Sequence, residues 1–173
     1  FTMKYGGALS TQFILDMVEQ GFLDSIRREN VRPGSFDPVL TDEGYRVPGA
    51  FLPGPEEDVR TALSRVGATS LRDRPILEVG CIYVFRLETH INKLLDSMYA
   101  YCNPKSSSSR IDLHVRLLAD RISRYDYIPR GYSGSLWLMI VPRTFPVILS
   151  PGIALNQIRM CNQDTRFDES RLE

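Results

Sequence analysis

The sequence predicts a mostly β domain, a compact barrel or sandwich with helices confined to its N-terminal end. Runs of β-branched and aromatic residues recur at short intervals through the second half, with Gly- and Pro-rich turns between them. Ile111, Leu113, Val115 and Leu117 alternate with Asp112, His114 and Arg116, the period-two signature of a half-buried strand. With 173 residues, 43% hydrophobic and 24% charged, the chain reads as one domain able to bury its own core. Lys+Arg and Asp+Glu are both 21, so no net field favours an anionic polymer and no nucleic-acid partner is expected. No apolar run approaches the roughly 18 residues that span a bilayer, and no secretory core opens the chain. The expectation is a cytoplasmic protein without a membrane partner.

Taken in order, Ser10 is a good N-cap for a helix through Gln20, because Phe13, Ile14, Met17 and Val18 share a face and Gly21 supplies a stop. Residues 22–28 read as a second short helix. From there to about residue 75, prolines and glycines at 33, 34, 38, 44, 48, 49 and 53–55 argue for loops and short edge strands, with one surface helix over 56–66. Strands are expected at 80–88, 97–102, 111–117, 135–141, 145–149 and 153–160. In the strand 135–141, Ser135, Trp137, Met139 and Val141 share one face and Leu136, Leu138 and Ile140 the other, so both faces are largely apolar. Phe1 and Thr2 precede what reads as an initiator Met3 and are set aside as a cloning remnant. The expected division is an N-terminal helical segment over 1–30, a β domain over 31–160 and a tail over 161–173.

Cysteine and histidine usage removes whole reaction classes. Cys81, Cys102 and Cys161 are far apart and form no Cys-x-x-Cys pair, which suits reduced thiols packed as small apolar groups. His90 and His114 are the only histidines and neither has zinc-site spacing, so no zinc is expected. No Gly-x-Ser-x-Gly elbow accompanies them, and no Gly-x-Gly-x-x-G marks a dinucleotide site.

Two segments carry candidate chemistry. In residues 103–110, the four hydroxyls of Ser106 to Ser109 lie between Lys105 and Arg110. Such a run can donate hydrogen bonds to phosphate oxygens while two cations neutralise them, or it can be a solvated serine-rich loop. In residues 120–134, Asp126 could accept from a sugar hydroxyl and a tyrosine ring could face a base or deoxyribose, though turns hold Asp and Tyr for local reasons too.

Taken together, the spacing is more specific. Asn103-Pro104-Lys105-Ser106-Ser107-x-x-Arg110-x-Asp112, Asp120-Arg121, Asp126-x-Ile128-Pro129-x-Gly131-Tyr132-x-Gly134-x-Leu136-x-Leu138, and Pro142-Arg143-x-Phe145-Pro146 closely resemble the dCTP deaminase family, above all its long bacterial branch. Arg32-Pro33-Gly34-Ser35-Phe36-Asp37 and Gly152-x-x-Leu155-x-Gln157-x-Arg159 add to the match. The resemblance implies a β-clip fold shared with dUTPases and a homo-oligomer, a trimer or a multiple of one, with sites between subunits. It also implies deamination of dCTP to dUTP and ammonia for dTTP supply, with Mg²⁺ only as companion of the substrate triphosphate. By position, Ser106 would help hold the attacking water, Lys105 and Ser107 would face phosphate, and Arg110 would orient the catalytic carboxylate and substrate. Asp126, Tyr132 and Gln157 fall at substrate-binding positions, although Asp126 lies six residues before Tyr132 where the family has three.

One departure concerns the reaction itself. The family's base is a glutamate that follows a leucine in the strand after the Gly-aromatic-x-Gly turn, and here Leu138 is followed by Met139. A positioned carboxylate can deprotonate water and later protonate the leaving amine, and a thioether can do neither. No glutamate lies between Thr89 and Asp168, which leaves Asp112, Asp120 and Asp126 as substitutes. On the resemblance, Met139 points into the pocket beside Ser106 and Arg110. Long-branch members comprise two such domains, and this chain reads as one. The candidate functions are therefore a deaminase with an altered base, a catalytically silent deoxynucleotide-binding or assembly domain, and a dUTPase-like pyrophosphatase using Asp126.

Overall fold

The computed structural model describes residues 7–72 and 75–162; the expected remnant at 1–2 and residues 163–173 of the expected tail lie outside these. In chain order the elements are α1 (Thr11–Glu19), β1 (Leu23–Asp24), β2 (Val31–Arg32), β3 (Ser35–Phe36), β4 (Leu40–Val47), α2 (Val59–Arg65), β5 (Thr69–Ser70), β6 (Ile76–Leu77), β7 (Ile82–Ile91), β8 (Tyr99–Pro104), α3 (Ser106–Arg110), β9 (Leu113–Ala119), β10 (Tyr127–Ile128), β11 (Gly134–Pro142), β12 (Val147–Ile148) and β13 (Asn156–Cys161). The large sheet has the order β5-β4-β7-β11-β9, with β1 also on β7; the second has the order β10-β8-β13-β3-β2, and β12 pairs with β6. Apolar side chains of both sheets, among them Phe36, Phe85, Leu117, Leu138, Ile140 and Ile158, fill one core with Ile14 and Met17 of α1. No helix among the described residues is long and apolar enough to cross a membrane.

Ser10 caps α1 as expected, accepting from the Phe13 amide at 3.3 Å. The helix expected at 22–28 is absent. Leu23 pairs instead with Ile91, the Phe22 carbonyl accepts from the Asn92 and Lys93 amides, and Ser25 takes a φ of +58°, which no helix tolerates. The eight-residue β4 lies inside the large sheet, where the sequence suggests only short edge pieces. Its Gly44 is packing space and not a breaker: a Cβ there would fall 2.4 Å from Cε1 of Phe85. Ile111, expected to open the buried face of β9, caps α3 and is 40% exposed, because Asp112 turns through a φ of +51° before Leu113.

Both faces of β11 are buried. Leu136, Leu138 and Ile140 enter the main core. Trp137 and Met139 enter a second cluster with Val84, Leu118 and Phe51, closed by Val59, Ala62 and Leu63 of α2. Asp58 starts that helix, accepting from the Thr61 amide at 2.8 Å. The start of β11 is braced by Tyr132, whose hydroxyl accepts from the Asp120 amide at 2.9 Å and donates to the Ser135 carbonyl at 2.8 Å. Gly134, at a φ of +156°, makes room for it, since a Cβ there would lie 2.6 Å from that hydroxyl. Tyr132→Phe removes both bonds and is expected to lower the free energy of unfolding by about 1–2 kcal/mol in urea titration. Unchanged stability would show that this brace is not structural.

Candidate functional site

The serine-rich segment forms at the end of β8, where Lys105 stays extended and residues 106–110 close into the short helix α3. It is pinned from beneath by the segment ahead of β13: the Lys105 amide donates to the Leu155 carbonyl at 3.0 Å and the Ser108 hydroxyl to the same carbonyl at 2.6 Å. Ser108 is thus buried and structural, while Ser106, Ser107, Ser109 and Arg110 are exposed. Lys105 is half-buried and its Nζ lies 2.5 Å from Oδ2 of Asp37, a carboxylate only 5% exposed. Arg32 approaches the same oxygen at 3.5 Å. A buried carboxylate requires such partners. The sequence offers Asp37 only as one residue of a motif, and nothing local links it to a lysine 68 positions away.

Within the subunit, Asp126 is engaged by the protein itself. It adopts a φ of +58°, its Oδ1 accepts from the Leu117 amide at 2.7 Å, and its Oδ2 lies 2.6 Å from Nε of Arg116. Burial pushes its pKa up, opposed by the Leu117 amide and by Arg116. The carboxylate therefore staples the loop ahead of β10 onto β9, with both oxygens engaged. Asp120 is likewise committed, accepting from the Val59 amide at 2.9 Å through Oδ1 and from the Ser135 amide at 2.8 Å through Oδ2.

Met139 sits opposite Arg116 on β9 and Val84 on β7, 5% exposed in the cluster beneath α2. The α3 segment joins β9 near Leu113, opposite Pro142, three positions and about 10 Å farther along the strand. Over Met139 runs a strap of residues 51–65. Four contacts hold it down: Tyr125 hydroxyl to Phe51 carbonyl at 2.8 Å, Ser123 hydroxyl to Pro53 carbonyl at 2.7 Å, Arg121 amide to Glu57 carbonyl at 2.9 Å, and the Val59–Asp120 bond. Within the strap, Arg65 grips Glu57 through Nε at 2.8 Å and Nη2 at 3.0 Å. These bonds, with that from the Gly54 amide, hold the Glu57 carboxyl at about 2.

The structure thus brings Lys105, Ser106, Ser107 and Arg110 together on one surface loop, and Gln157 stands nearby, opposite Asn103 across β13 and β8. Met139, Asp126 and the buried Tyr132 belong to other surroundings within this subunit. No three His, Cys, Asp or Glu side chains converge on a cation position among the described residues.

This geometry can be set against known proteins. Residues 5–164 match the family described as the 2'-deoxycytidine 5'-triphosphate deaminase (DCD) N-terminal domain. The crystal structure of 2'-deoxycytidine 5'-triphosphate deaminase from Agrobacterium tumefaciens is similar at a TM-score of 0.87 and 35% identity, over 96% of this chain and 51% of that one. The chain therefore spans about half the length of that deaminase. EIAV dUTPase shows a weaker likeness, with a TM-score of 0.45 and 14% identity over 86% of this chain and 92% of that one. No curated protein sequence matches. By the match over nearly its whole length, and by a mostly β fold that follows the solved deaminase, the chain belongs to the dCTP deaminase N-terminal domain family.

Proposed function

We propose that this domain is a catalytically silent half of a dCTP deaminase, binding a deoxynucleoside triphosphate at Lys105 to Arg110 and supporting assembly, while deamination of dCTP to dUTP and ammonia proceeds elsewhere in the enzyme. The observation that carries this reading is Met139. The residue at the position of the expected base has no proton to give or take, and it is sealed under α2 by apolar side chains and the strap. Neither Asp120 nor Asp126 has a free oxygen to replace it, since Asp120 accepts from two amides and Asp126 accepts from the Leu117 amide and is ion-paired with Arg116; Asp112 is exposed, accepts from the Thr144 hydroxyl and precedes Leu113, which lies opposite Pro142 and not Met139. The engagement of Asp126 also weighs against a dUTPase-like pyrophosphatase.

For binding, the exposed Ser106 and Ser107 hydroxyls and the Arg110 guanidinium suit phosphate oxygens, and Mg²⁺ would arrive on the triphosphate. Gln157 stands on the same side as Asn103 for a further substrate contact. Asp126 and Tyr132 support the hairpin that would face the sugar and base. The proposal includes a homo-oligomer, a trimer or a multiple of one, in the cytoplasm, with sites completed between subunits.

The test is an ammonia assay with dCTP and Mg²⁺, beside calorimetric titration of dCTP, dUTP and dTTP. Binding without ammonia is expected. Ammonia from dCTP, or pyrophosphate from dUTP, overturns the silent reading. Arg110→Ala is expected to cost about 1.5–3 kcal/mol of triphosphate affinity, the worth of a charge-assisted hydrogen bond, and unchanged affinity would remove the loop from the proposal. Met139→Glu would bury a carboxylate in an apolar cluster. It is expected to destabilise the domain by about 3–5 kcal/mol in thermal or urea unfolding and to release no ammonia. A stable, deaminating variant would show that the strap opens onto a working pocket.

A further inference from the structure

Two shielded donors on the outer side of the large sheet have no acceptor among the described residues. Trp137 is 1% exposed and its Nε1 makes no hydrogen bond; neither does Nε of Arg86, which is shut off from solvent although the side chain as a whole is 36% exposed. The two residues stand directly opposite each other on β11 and β7, which puts their Cβ atoms about 5 Å apart on one side of the sheet. A buried N–H left without an acceptor is costly, and two of them on neighbouring strands call for a shared one.

The side chains around them set the charge of that acceptor. Arg60 of α2 lies over the Trp137 ring, its guanidinium carbon 5.9 Å from the centroid, and reaches both oxygens of Glu43 through Nη2 at 2.9 and 2.8 Å. Arg86 Nη1 lies 3.6 Å from the second of these oxygens, and the Tyr45 hydroxyl donates to the first at 2.9 Å. Asp58, two positions before Arg60, is turned to the Thr61 amide as the cap of α2, and Glu88, two positions along β7 from Arg86, pairs with Arg27 at 3.3 Å. Two guanidinium groups therefore share one carboxylate, and both its oxygens are engaged. Indole and guanidinium groups donate and do not accept, so whatever satisfies them must accept. A water could take both bonds but would then need acceptors for its own two hydrogens, where Glu43 is already taken. A small anion needs none and balances the excess cation.

We propose that Trp137, Arg86 and Arg60 form a site for a compact monovalent anion of halide size, seated between α2 and β7. Trp137 and Arg86 donate to it from the sheet through Nε1 and Nε, and Arg60 adds its charge from the helix, where a side chain 59% exposed leaves a way in. The anion then ties the helix that covers Met139 to the sheet beneath it. No residue of the serine-rich loop takes part, so the site stands whatever that loop binds.

Trp137 is the only tryptophan in the chain, which makes it the reporter. At 1% exposure it is out of reach of colliding ions, so bromide, a heavy-atom quencher, can dim its fluorescence only from a bound position. Sodium bromide is titrated into the chain, Arg60→Ala and Arg86→Gln at an ionic strength held constant with sodium gluconate, and into the unaltered chain again with chloride present; circular dichroism melts verify that the variants fold. The expected result is quenching that saturates below molar bromide, a curve that chloride moves to higher bromide, and an apparent affinity weakened in both variants, by at least about tenfold in Arg86→Gln, the worth of one charge-assisted hydrogen bond. Quenching that is absent or strictly linear overturns the proposal and leaves the two donors to water. Saturation that chloride does not move overturns it too, and so does equal affinity in the unaltered chain and both variants, which would put the halide elsewhere. The chloride arm uses the unaltered chain, so the test decides even if Arg86→Gln fails to fold.

Discussion

The outer side of the large sheet depends on one carboxylate. Asp120 is 8% exposed and spends its two oxygens on amides from different elements, Val59 at the first turn of α2 and Ser135 at the start of β11. The first amides of a helix have no partner within it, so an acceptor from outside fixes where the helix begins and how it lies. Asp120 therefore sets α2 against β11, which lets Val59, Ala62 and Leu63 close over Trp137 and Met139. The Tyr132 hydroxyl ties the Asp120 amide back to Ser135 and makes the corner a closed set of hydrogen bonds. Remove the carboxylate and the strap loses one of its four anchors, the one at which α2 begins.

That arrangement decides what position 139 can be. A strand covered on both faces needs apolar side chains on both, and a glutamate there would need a cation at hand. Arg116 is the cross-strand neighbour of Met139, yet its guanidinium leans on the Tyr125 ring and its Nε faces Asp126. Tyr125 in turn donates to Phe51 of the strap, with Met139 Sδ 3.9 Å from the same hydroxyl. The two polar neighbours of Met139 are thus engaged elsewhere, Tyr125 with the strap and Arg116 with Asp126 and the Tyr125 ring. Position 139 is a packing position in this domain, enclosed with Trp137 by α2 and the strap.

How much of this could be read from the chain follows from range. The α1 helix and the strand β9 were legible because a cap and a period lie within ten residues, and the serine-rich loop was legible because its hydroxyls and cations are consecutive. The short strand β1 was not, since its pairing with Ile91 is set 68 positions away and local composition favours helix there. β4 was obscured by Gly44, which reads as a breaker and is instead the hollow for Phe85. For the site, the residue types were readable and their partners were not: Asp126 looks like a ligand contact until its Leu117 bond is seen, and Lys105 looks free until Asp37 is found beneath it.

The Lys105–Asp37 pair also bears on how strongly the loop can hold phosphate under the proposed reading. A triphosphate that recruits Lys105 must draw its Nζ from a buried carboxylate 2.5 Å away, and stripping such a group of its last partner costs about 3–5 kcal/mol. That full cost does not apply here, because Arg32 remains at 3.5 Å from the same oxygen and is itself about half exposed, free to close the gap. Lys105 can then be exchanged between two anions, with Arg32 neutralising the one it leaves. The affinity of the loop is accordingly set by a difference between two ion pairs, smaller than either, and the exposed Arg110 and serine hydroxyls, which give up no protein carboxylate, would supply most of the net attraction.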